Sequence, residues 1–205
     1  RLSQAEGDKI GEKGTGKRMS YQEYRDRVLE EIRSSIWRIS DEKIEGLAEM
    51  ILAAEHIFCD GKGRSGLVTK GFAMRLAQMG FSAYDPQGVT TPAIQKGDLL
   101  IVASGSGETP NLVEHSKKAA EVGAKTVLIT TEPDSAIGVI CSECFVFQAQ
   151  SKGEKPTSSK QLSIQPMGTL FEQSLEIFFD ILVLVLMKKK SISNEEMYAL
   201  HNNLE

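Results

Sequence analysis

At 205 residues, the chain is long enough for one α/β core and short for two. A net charge of −4 gives no electrostatic reason to expect binding to nucleic acid or to an anionic membrane. The most apolar stretch, residues 177–187, is about half as long as a membrane-spanning helix. Three cysteines are too few for a disulfide framework and no secretory pattern begins the chain, so we expect a cytoplasmic protein. Cys141 and Cys144 have metal-like spacing, but a structural zinc site needs four ligands and no second pair exists, so we expect no metal.

The first part of the chain changes character near residue 19. Residues 1–18 are polar, contain several glycines and show no periodicity, so we expect a disordered or non-native leader. Residues 19–205 then form a single domain. An apolar stripe at helical spacing starts at Tyr21, and a second helix is predicted over residues 41–54, with Ser40 as its cap.

Strands and helices alternate over the rest of the chain. Apolar or β-branched runs predict five strands, at residues 56–60, 81–85, 98–103, 125–131 and 144–147. Helical patterns occupy residues 67–79, 110–122, 168–190 and the end of the chain from Ser193. A polar stretch, residues 148–166, is either a functional loop or a solvated one. This alternation is typical of the α/β class, with a doubly wound, flavodoxin-like sheet of five parallel strands flanked by helices.

A loop rich in glycine and hydroxyl groups, Ser104–Thr109, follows the third predicted strand directly. Pro110 suits the first position of the next helix, and Thr109 can cap the open amide groups there. The unpaired N–H groups and the positive end of the helix dipole point the same way. The loop therefore predicts a site for a phosphate.

A second glycine-rich loop, Gly61–Gly66, follows the first strand with the spacing G-x-G-x-x-G. Asp85 stands where the ribose-binding acid of a dinucleotide site would be, so a nicotinamide enzyme is one open interpretation. That interpretation leaves the Ser104–Thr109 loop without a role, whereas a phosphorylated sugar would use both loops at one edge of the sheet. The predicted phosphate-binding residues are Gly63, Ser65, Ser104, Ser106 and Thr109.

Glu172, near the start of the long apolar helix, has two open interpretations. With Thr169 it fits a capping box. It could instead act as a catalytic base. His56 and His115 are expected to be structural or solvated. His201, near the C-terminus, is either a surface side chain or a functional one.

Four motifs together resemble the sugar isomerase (SIS) domain family, and within it the 6-phospho-3-hexuloisomerases. They are Gly-Lys-Gly-Arg-Ser-Gly at residues 61–66, Ser-Gly-Ser-Gly-Glu-Thr at 104–109, Gln-Pro-Met-Gly-Thr-Leu-Phe-Glu-Gln at 165–173 and His-Asn-Asn-Leu-Glu at 201–205. The resemblance covers roughly residues 20–205, so residues 19–205 are expected to be a single SIS domain.

This resemblance implies a five-stranded parallel sheet and a homotetramer with sites near subunit boundaries, in which the N- and C-terminal helices pack between subunits. It implies an isomerase that uses neither cofactor nor metal and interconverts 3-hexulose 6-phosphate and fructose 6-phosphate through an enediolate, in formaldehyde fixation or pentose supply. Carried onto this sequence, it makes Glu172 the expected base and His201 a second acid/base that reaches a neighbouring subunit's site. Arg64 would stabilise charge or orient the substrate.

The chain departs from the family pattern at two places. Lys62 stands where a small residue is common, and Gln87–Val89 stands where Gly-Glu-Thr is common. Both lie in the region expected to contact sugar hydroxyls, so they bear on the choice of sugar. The alternatives are an isomerase of a pentose or heptose phosphate, a non-catalytic sugar-phosphate regulator and the nicotinamide enzyme.

Overall fold

The structure is a computed structural model that describes residues 19–150 and 163–204. The predicted leader, residues 1–18, lies outside these ranges, as does most of the predicted loop at residues 148–166. Within the described ranges, none of the helices combines the length and the apolar character needed to cross a membrane.

Two helices with serine caps form the start of the domain. α1 (Tyr21–Ile36) begins at a capping box, in which the Ser20 hydroxyl accepts a hydrogen bond from the Glu23 N–H and the Glu23 carboxylate accepts one from the Ser20 N–H. α2 (Asp41–Ala53) follows, and the Ser40 hydroxyl caps it as predicted.

The remaining elements alternate as the sequence predicts. The strands are β1 (Ile57–Gly61), β2 (Ala83–Tyr84), β3 (Leu99–Ala103), β4 (Lys125–Thr130) and β5 (Glu143–Val146). The helices are α3 (Gly63–Gln78), α4 (Pro110–Val122), α5 (Thr169–Lys190) and α6 (Asn194–Ala199). All five strands pair in parallel in the order β2-β1-β3-β4-β5, which confirms the flavodoxin-like sheet.

Both faces of the sheet are buried, and successive strand residues alternate between two apolar clusters. Ile101 of β3 packs in the larger cluster with Phe72 of α3 and Phe178 of α5. Its neighbour Val102 packs in the smaller one with Leu112 of α4. The period of two places α3 and α5 on one face and α4 on the other. Because all the strands are parallel, the loops that follow them meet at one edge of the sheet.

β2 is shorter than the predicted strand at residues 81–85. Before it, the Phe81 N–H donates to the Leu76 carbonyl, which ties Phe81 to the end of α3. After it, Pro86 has no N–H to give to a ladder, and the Asp85 carboxylate accepts from the Gln87 N–H in a turn. Only two residues remain to pair with β1.

The C-terminal helix is also shorter than predicted. α6 starts at a capping box, Ser193 with Glu196, and ends at Ala199. The prediction that it runs to the terminus and carries His201 is therefore wrong. The Asn202 side chain accepts from the Leu204 N–H, which is the turn chemistry typical of asparagine, and His201 lies beyond the helix.

Candidate active site

A cavity of about 370 Å³ lies at the carboxyl ends of β1 and β3. β2 and β4 lie on the outer sides of these two strands, so this is the topological switch point at which open α/β sheets bind ligands. The predicted site residues that line it are Gly63, Arg64, Ser65, Ser104, Ser106, Thr109 and Glu172. The structure thus brings together all the predicted site residues except His201.

Three helices begin at this cavity, and their N-cap residues are Lys62 for α3, Thr109 for α4 and Gly168 for α5. Within the described residues, none of these three helices has a side-chain cap, whereas α1, α2 and α6, which begin elsewhere, are each capped by a serine. Open N–H groups and positive dipole ends therefore converge on the cavity, and an anion would satisfy them.

Two side-chain caps that the sequence suggests do not form in the described residues. Thr109 stands at the N-cap of α4 but makes no cap hydrogen bond in the described structure, and its Oγ1 lies 3.4 Å from Ser104 Oγ. The capping box of Thr169 and Glu172 does not form either, because Gly168 is the N-cap of α5 and both side chains bind Arg64 instead.

Arg64 and Glu172 form an ion pair across the cavity. Arg64 Nη1 lies 2.8 Å from Glu172 Oε2 and donates to Thr169 Oγ1 at 3.1 Å. The Arg64 side chain is 59% exposed and that of Glu172 is 18% exposed. An ion pair this open to solvent adds little to stability, roughly 0–1 kcal/mol. The guanidinium can therefore move to an oxyanion at small cost and leave the carboxylate available for a proton.

The serine loop is held in place by its own hydroxyl and by the end of β4. The buried Ser104 hydroxyl accepts from the Gly107 N–H at 3.1 Å. The Gly105 carbonyl accepts from the Thr130 hydroxyl at 2.9 Å and from the Thr131 N–H at 3.0 Å. Ser106, in contrast, is exposed at the cavity. Ser104 therefore fixes the loop, and Ser106 is the more accessible hydroxyl for a ligand.

Steric crowding explains why the serine loop contains a glycine at position 107. Gly107 has a φ of 63°, a conformation that side chains disfavour, and a Cβ there would lie 1.9 Å from Ser135 Oγ. The glycines of the first loop are similarly crowded, because a Cβ on Gly66 would lie 2.6 Å from the carbonyl oxygen of Gly61. α3 can therefore begin inside the predicted loop, at Gly63, closer to the strand than expected.

Asp85, the predicted ribose-binding acid of the dinucleotide interpretation, already has partners. Its Oδ2 lies 2.9 Å from the Lys70 ammonium, and its Oδ1 accepts from the Gln87 N–H at 3.0 Å. Burial alone would raise the pKa of Asp85. These hydrogen bonds and the nearby Lys70 and Lys62 charges lower it by a larger amount, so the net shift is downward. The carboxylate thus ties β2 to α3, which removes the main argument for a dinucleotide site.

His201 lies away from the cavity of its own chain. Next to it, the Leu200 side chain approaches Gly80, just past the C-terminal end of α3. The cavity lies at the other end of α3, about 24 Å away for a helix of 16 residues. The His201 ring lies 3.0 Å from the Asn202 carbonyl oxygen and stacks on Tyr198.

A pair formed by a buried aspartate and a partly exposed histidine was not predicted. Asp60 is fully buried at the end of β1, and its Oδ2 lies 2.6 Å from His115 Nδ1 of α4. Its Oδ1 accepts from the Gly61 N–H at 2.9 Å, at the start of the glycine loop. His115 therefore has a structural contact and is also partly solvated, in line with the expectation that it is structural or solvated. An aspartate inside an apolar strand run was the signal in the sequence.

The two clustered cysteines carry thiols of low reactivity. Burial raises the pKa of Cys144 to about 11 and also raises that of Cys141, so both are protonated at neutral pH. In residues 19–150 and 163–204, no group of three His, Cys, Asp or Glu side chains is placed to hold a metal ion.

Comparisons of this chain with known proteins agree on one family. The family model for the SIS domain matches residues 50–164. The chain is 41% identical to 3-hexulose-6-phosphate isomerase of Bacillus subtilis over 187 residues, which cover 91% of this chain and 100% of the relative. It is 34% identical to 3-hexulose-6-phosphate isomerase of Mycobacterium gastri, over 87% of this chain and 88% of the relative.

A solved structure agrees with these matches. A crystal structure of a Methanococcus jannaschii protein, for which a function of 3-hexulose-6-phosphate isomerase was inferred, superposes with a TM-score of 0.77 at 30% identity. It covers 89% of this chain and 99% of that one. The chain therefore belongs to the SIS domain family, together with the 3-hexulose-6-phosphate isomerases.

Proposed function

We propose that the protein is a sugar-phosphate isomerase that interconverts 3-hexulose 6-phosphate and fructose 6-phosphate. The observation that carries this proposal is the pairing of Glu172 with Arg64 at a cavity bounded by three helix N-termini without side-chain caps in the described structure. The relatives named 3-hexulose-6-phosphate isomerase, at 33–41% identity, support the choice of reaction.

The phosphate of the substrate binds at the serine loop. A phosphate monoester carries close to two negative charges and three acceptor oxygens, which match the exposed Ser106 hydroxyl, Ser65, and the open N–H groups of α3 and α4. The net charge of the chain is negative, so this binding relies on local geometry. Holding the phosphate orients the carbonyl end toward Glu172 and Arg64, which lowers the barrier to the chemical step.

The reaction moves a carbonyl between adjacent carbons. The Glu172 carboxylate removes the proton on C2 of 3-hexulose 6-phosphate, and the electron pair of that bond forms the C2–C3 double bond of an enediolate. Arg64 stabilises the negative charge that develops on the C3 oxygen. The Glu172 carboxyl then returns a proton to C3, while the proton of the C2 hydroxyl is passed to the C3 oxygen, which gives fructose 6-phosphate.

His201 takes part from a neighbouring subunit of a homotetramer and serves the hydroxyl protons. Its distance from the cavity of its own chain supports this placement. Large apolar side chains on α3 and α5 are exposed, with Leu67 at 69% and Leu184 at 65%, and would be covered by another subunit. The terminal helices α1 and α6 would pack between subunits.

The protein acts in the cytoplasm, and fructose 6-phosphate is its product in formaldehyde fixation. The cysteines of the described residues are unpaired, which agrees with a reducing compartment. Of the two departures from the family pattern, Lys62 lines the cavity and bears on the choice of sugar, whereas Gln87–Val89 is not part of the cavity lining. They leave the serine loop and Glu172 unchanged.

The test is a coupled assay that detects fructose 6-phosphate formed from enzymatically generated 3-hexulose 6-phosphate. A parallel panel offers pentose and heptose phosphates, and an NAD titration addresses the nicotinamide alternative. We expect turnover with the hexulose phosphate alone and no saturable binding of NAD. Turnover of a pentose or heptose phosphate in preference to the hexulose would assign the protein to another isomerase of the family. Binding of sugar phosphates without turnover would make it a regulator.

A further inference from the structure

A buried carboxylate on α1, Glu31, holds the segment that leads into α5. Glu31 is only 9% exposed. Its Oε1 accepts from the Ile164 N–H and from Arg27 Nε, both at 3.1 Å. Its Oε2 accepts from the Ser163 hydroxyl and from Gln165 Nε2, the latter at 3.2 Å. Three consecutive residues, more than 130 positions away in sequence, thus converge on one carboxylate.

The same segment is held on its other side by Gln150, which lines the cavity. Gln150 Nε2 donates to the carbonyl of Met167 at 3.0 Å and to that of Gln165 at 3.3 Å. The Gln150 side-chain oxygen accepts from the Ser163 N–H at 3.1 Å. Residues 163–167 are therefore fixed between α1 and the cavity wall.

The chain turns sharply between this segment and the helix that carries Glu172. Met167 has a φ of 56°, which is uncommon for a residue other than glycine and persists only where the surroundings impose it. Gly168 follows as the N-cap of α5, and the Glu172 N–H donates to its carbonyl at 3.0 Å. The position of the Glu172 carboxylate is thus set by the residues that precede α5.

We propose that Glu31 is a positioning residue for Glu172: its carboxylate fixes residues 163–165, and through them the first turn of α5 at the cavity. This inference rests on the proposed function, because it assigns Glu172 a reacting proton. Glu31 itself touches neither the cavity lining nor the ion pair of Glu172 with Arg64 in the contacts described.

The negative charge of Glu31 contributes to its hold on residues 163–165. Two oxygens accept from four donors, one of them an arginine, which only an ionised carboxylate does well. Burial alone would raise the pKa of Glu31. The hydrogen bonds from Ser163, Ile164, Gln165 and Arg27 together lower it by a larger amount, so its pKa lies below the ordinary value. A glutamine of the same shape would turn an NH₂ group toward donors, so the segment would lose its anchor without a change in volume.

The experiment compares Glu31→Gln with Glu30→Gln, a matched control at the exposed neighbour on the same helix. Kinetics of hexulose-phosphate isomerisation are measured for both, and hydrogen exchange is measured for the amides of residues 163–172. In Glu31→Gln we expect kcat to fall about tenfold to a hundredfold, the range for a small displacement of a catalytic group. KM should stay within about threefold, because the serine loop is untouched. Exchange of the 163–172 amides should accelerate, and Glu30→Gln should match the wild type in every measurement.

A double-mutant cycle separates positioning from a general loss of structure. In a Glu172→Gln background, Glu31→Gln should reduce residual turnover no further, because the group that it positions is gone. Ser163→Ala, which removes one of the four donors, gives a milder variant if Glu31→Gln does not fold, and should lower kcat with the same unchanged KM. Additive losses in the cycle, or a kcat in Glu31→Gln and Ser163→Ala equal to that of the control, would overturn the inference.

The hydrogen-exchange readout keeps this inference separable from the proposed function. If the wild type turns over no hexulose phosphate, the function fails while faster exchange of residues 163–172 in Glu31→Gln still shows the anchoring step. Unchanged exchange in an active Glu31→Gln enzyme removes the anchoring step and leaves the function intact.

Discussion

At the scale of single residues, the two serines of one loop have different roles. Ser104 is buried and binds the Gly107 N–H, so its hydroxyl maintains the loop. Ser106 is exposed at the cavity, and its oxygen also accepts from the Glu108 N–H at 3.3 Å. The sequence treats the two as equivalent phosphate ligands, and the structure distinguishes them by burial.

Replacing Ser106 by alanine should weaken substrate binding more than it slows the chemical step. One hydrogen bond to the phosphate is lost in ground state and transition state alike, so KM should rise about fivefold to tenfold with kcat nearly constant. Steady-state kinetics with the hexulose phosphate give both constants. Ser34→Ala, at an exposed serine of α1, is the control. A fall in kcat at constant KM would place Ser106 in the chemistry instead.

At the scale of elements, the helices that begin at the cavity differ in their N-terminal capping from the helices that begin elsewhere. Ser20, Ser40 and Ser193 cap the helices that begin away from the cavity. The helices that begin at it have no side-chain cap in the described residues, which suits the proposed binding of a phosphate there. A contact between two elements also involves Asp85, which connects the end of β2 to Lys70 of α3 through an ion pair.

Asp85→Asn should destabilise the fold in a pH-dependent way. The pKa of Asp85 is lower in the folded than in the unfolded state, so its stabilising contribution is present above the unfolded pKa of about 3.9 and is lost as pH falls through the folded pKa. At pH 7 we expect a loss of about 1 kcal/mol, or roughly 2–4 °C in Tm. The difference from wild type should shrink toward zero near pH 3. Thermal melts across this range check it, with Asp26→Asn, in an exposed ion pair, as control. A difference independent of pH would contradict the linkage.

The sequence predicts the order and type of most strands and helices correctly, and each error has a specific physical cause. Continuous apolar runs mark β1, β3 and β4, because these central strands are buried on both faces. β2 is short because Pro86 follows it, and the apolar pattern of residues 81–85 does not take that proline into account. The capping box, one of the two interpretations of Glu172, does not form, because Arg64, 105 residues from Thr169, binds both side chains. Propensity describes neighbours in sequence and cannot describe a partner that folding brings from elsewhere.

At the scale of the whole molecule, one chain does not bring all the predicted site residues together. The cavity holds Glu172 and Arg64, whereas His201 lies at the far end of α3. The sequence gives no direct measure of that separation, because it depends on the way α6 packs against α3. An assembly that brings one subunit's C-terminus to another's cavity would complete the site.

Mixed oligomers test this arrangement. Glu172→Gln and His201→Ala should each be nearly inactive alone, and chains co-expressed in equal amounts should recover about a quarter of the wild-type activity, because a random pairing of two subunits gives that share of intact sites. Activity of co-purified mixtures is the measurement. Mixing the two separately purified homo-oligomers without subunit exchange is the control. No recovery in the mixed oligomers would place both residues in one subunit's site.

In the proposed mechanism, Glu172 moves a proton between C2 and C3 of a hexulose phosphate. The most direct measurement is NMR of fructose 6-phosphate incubated with the protein in D₂O. We expect the wild type, and the control Glu176→Gln one turn further along α5, to exchange the C3 proton for deuterium. In Glu172→Gln we expect exchange at least about a thousandfold slower, as for loss of a general base, while fructose 6-phosphate still binds. Retention of the C3 proton in the wild type, or equal exchange in the wild type and Glu172→Gln, would contradict the account.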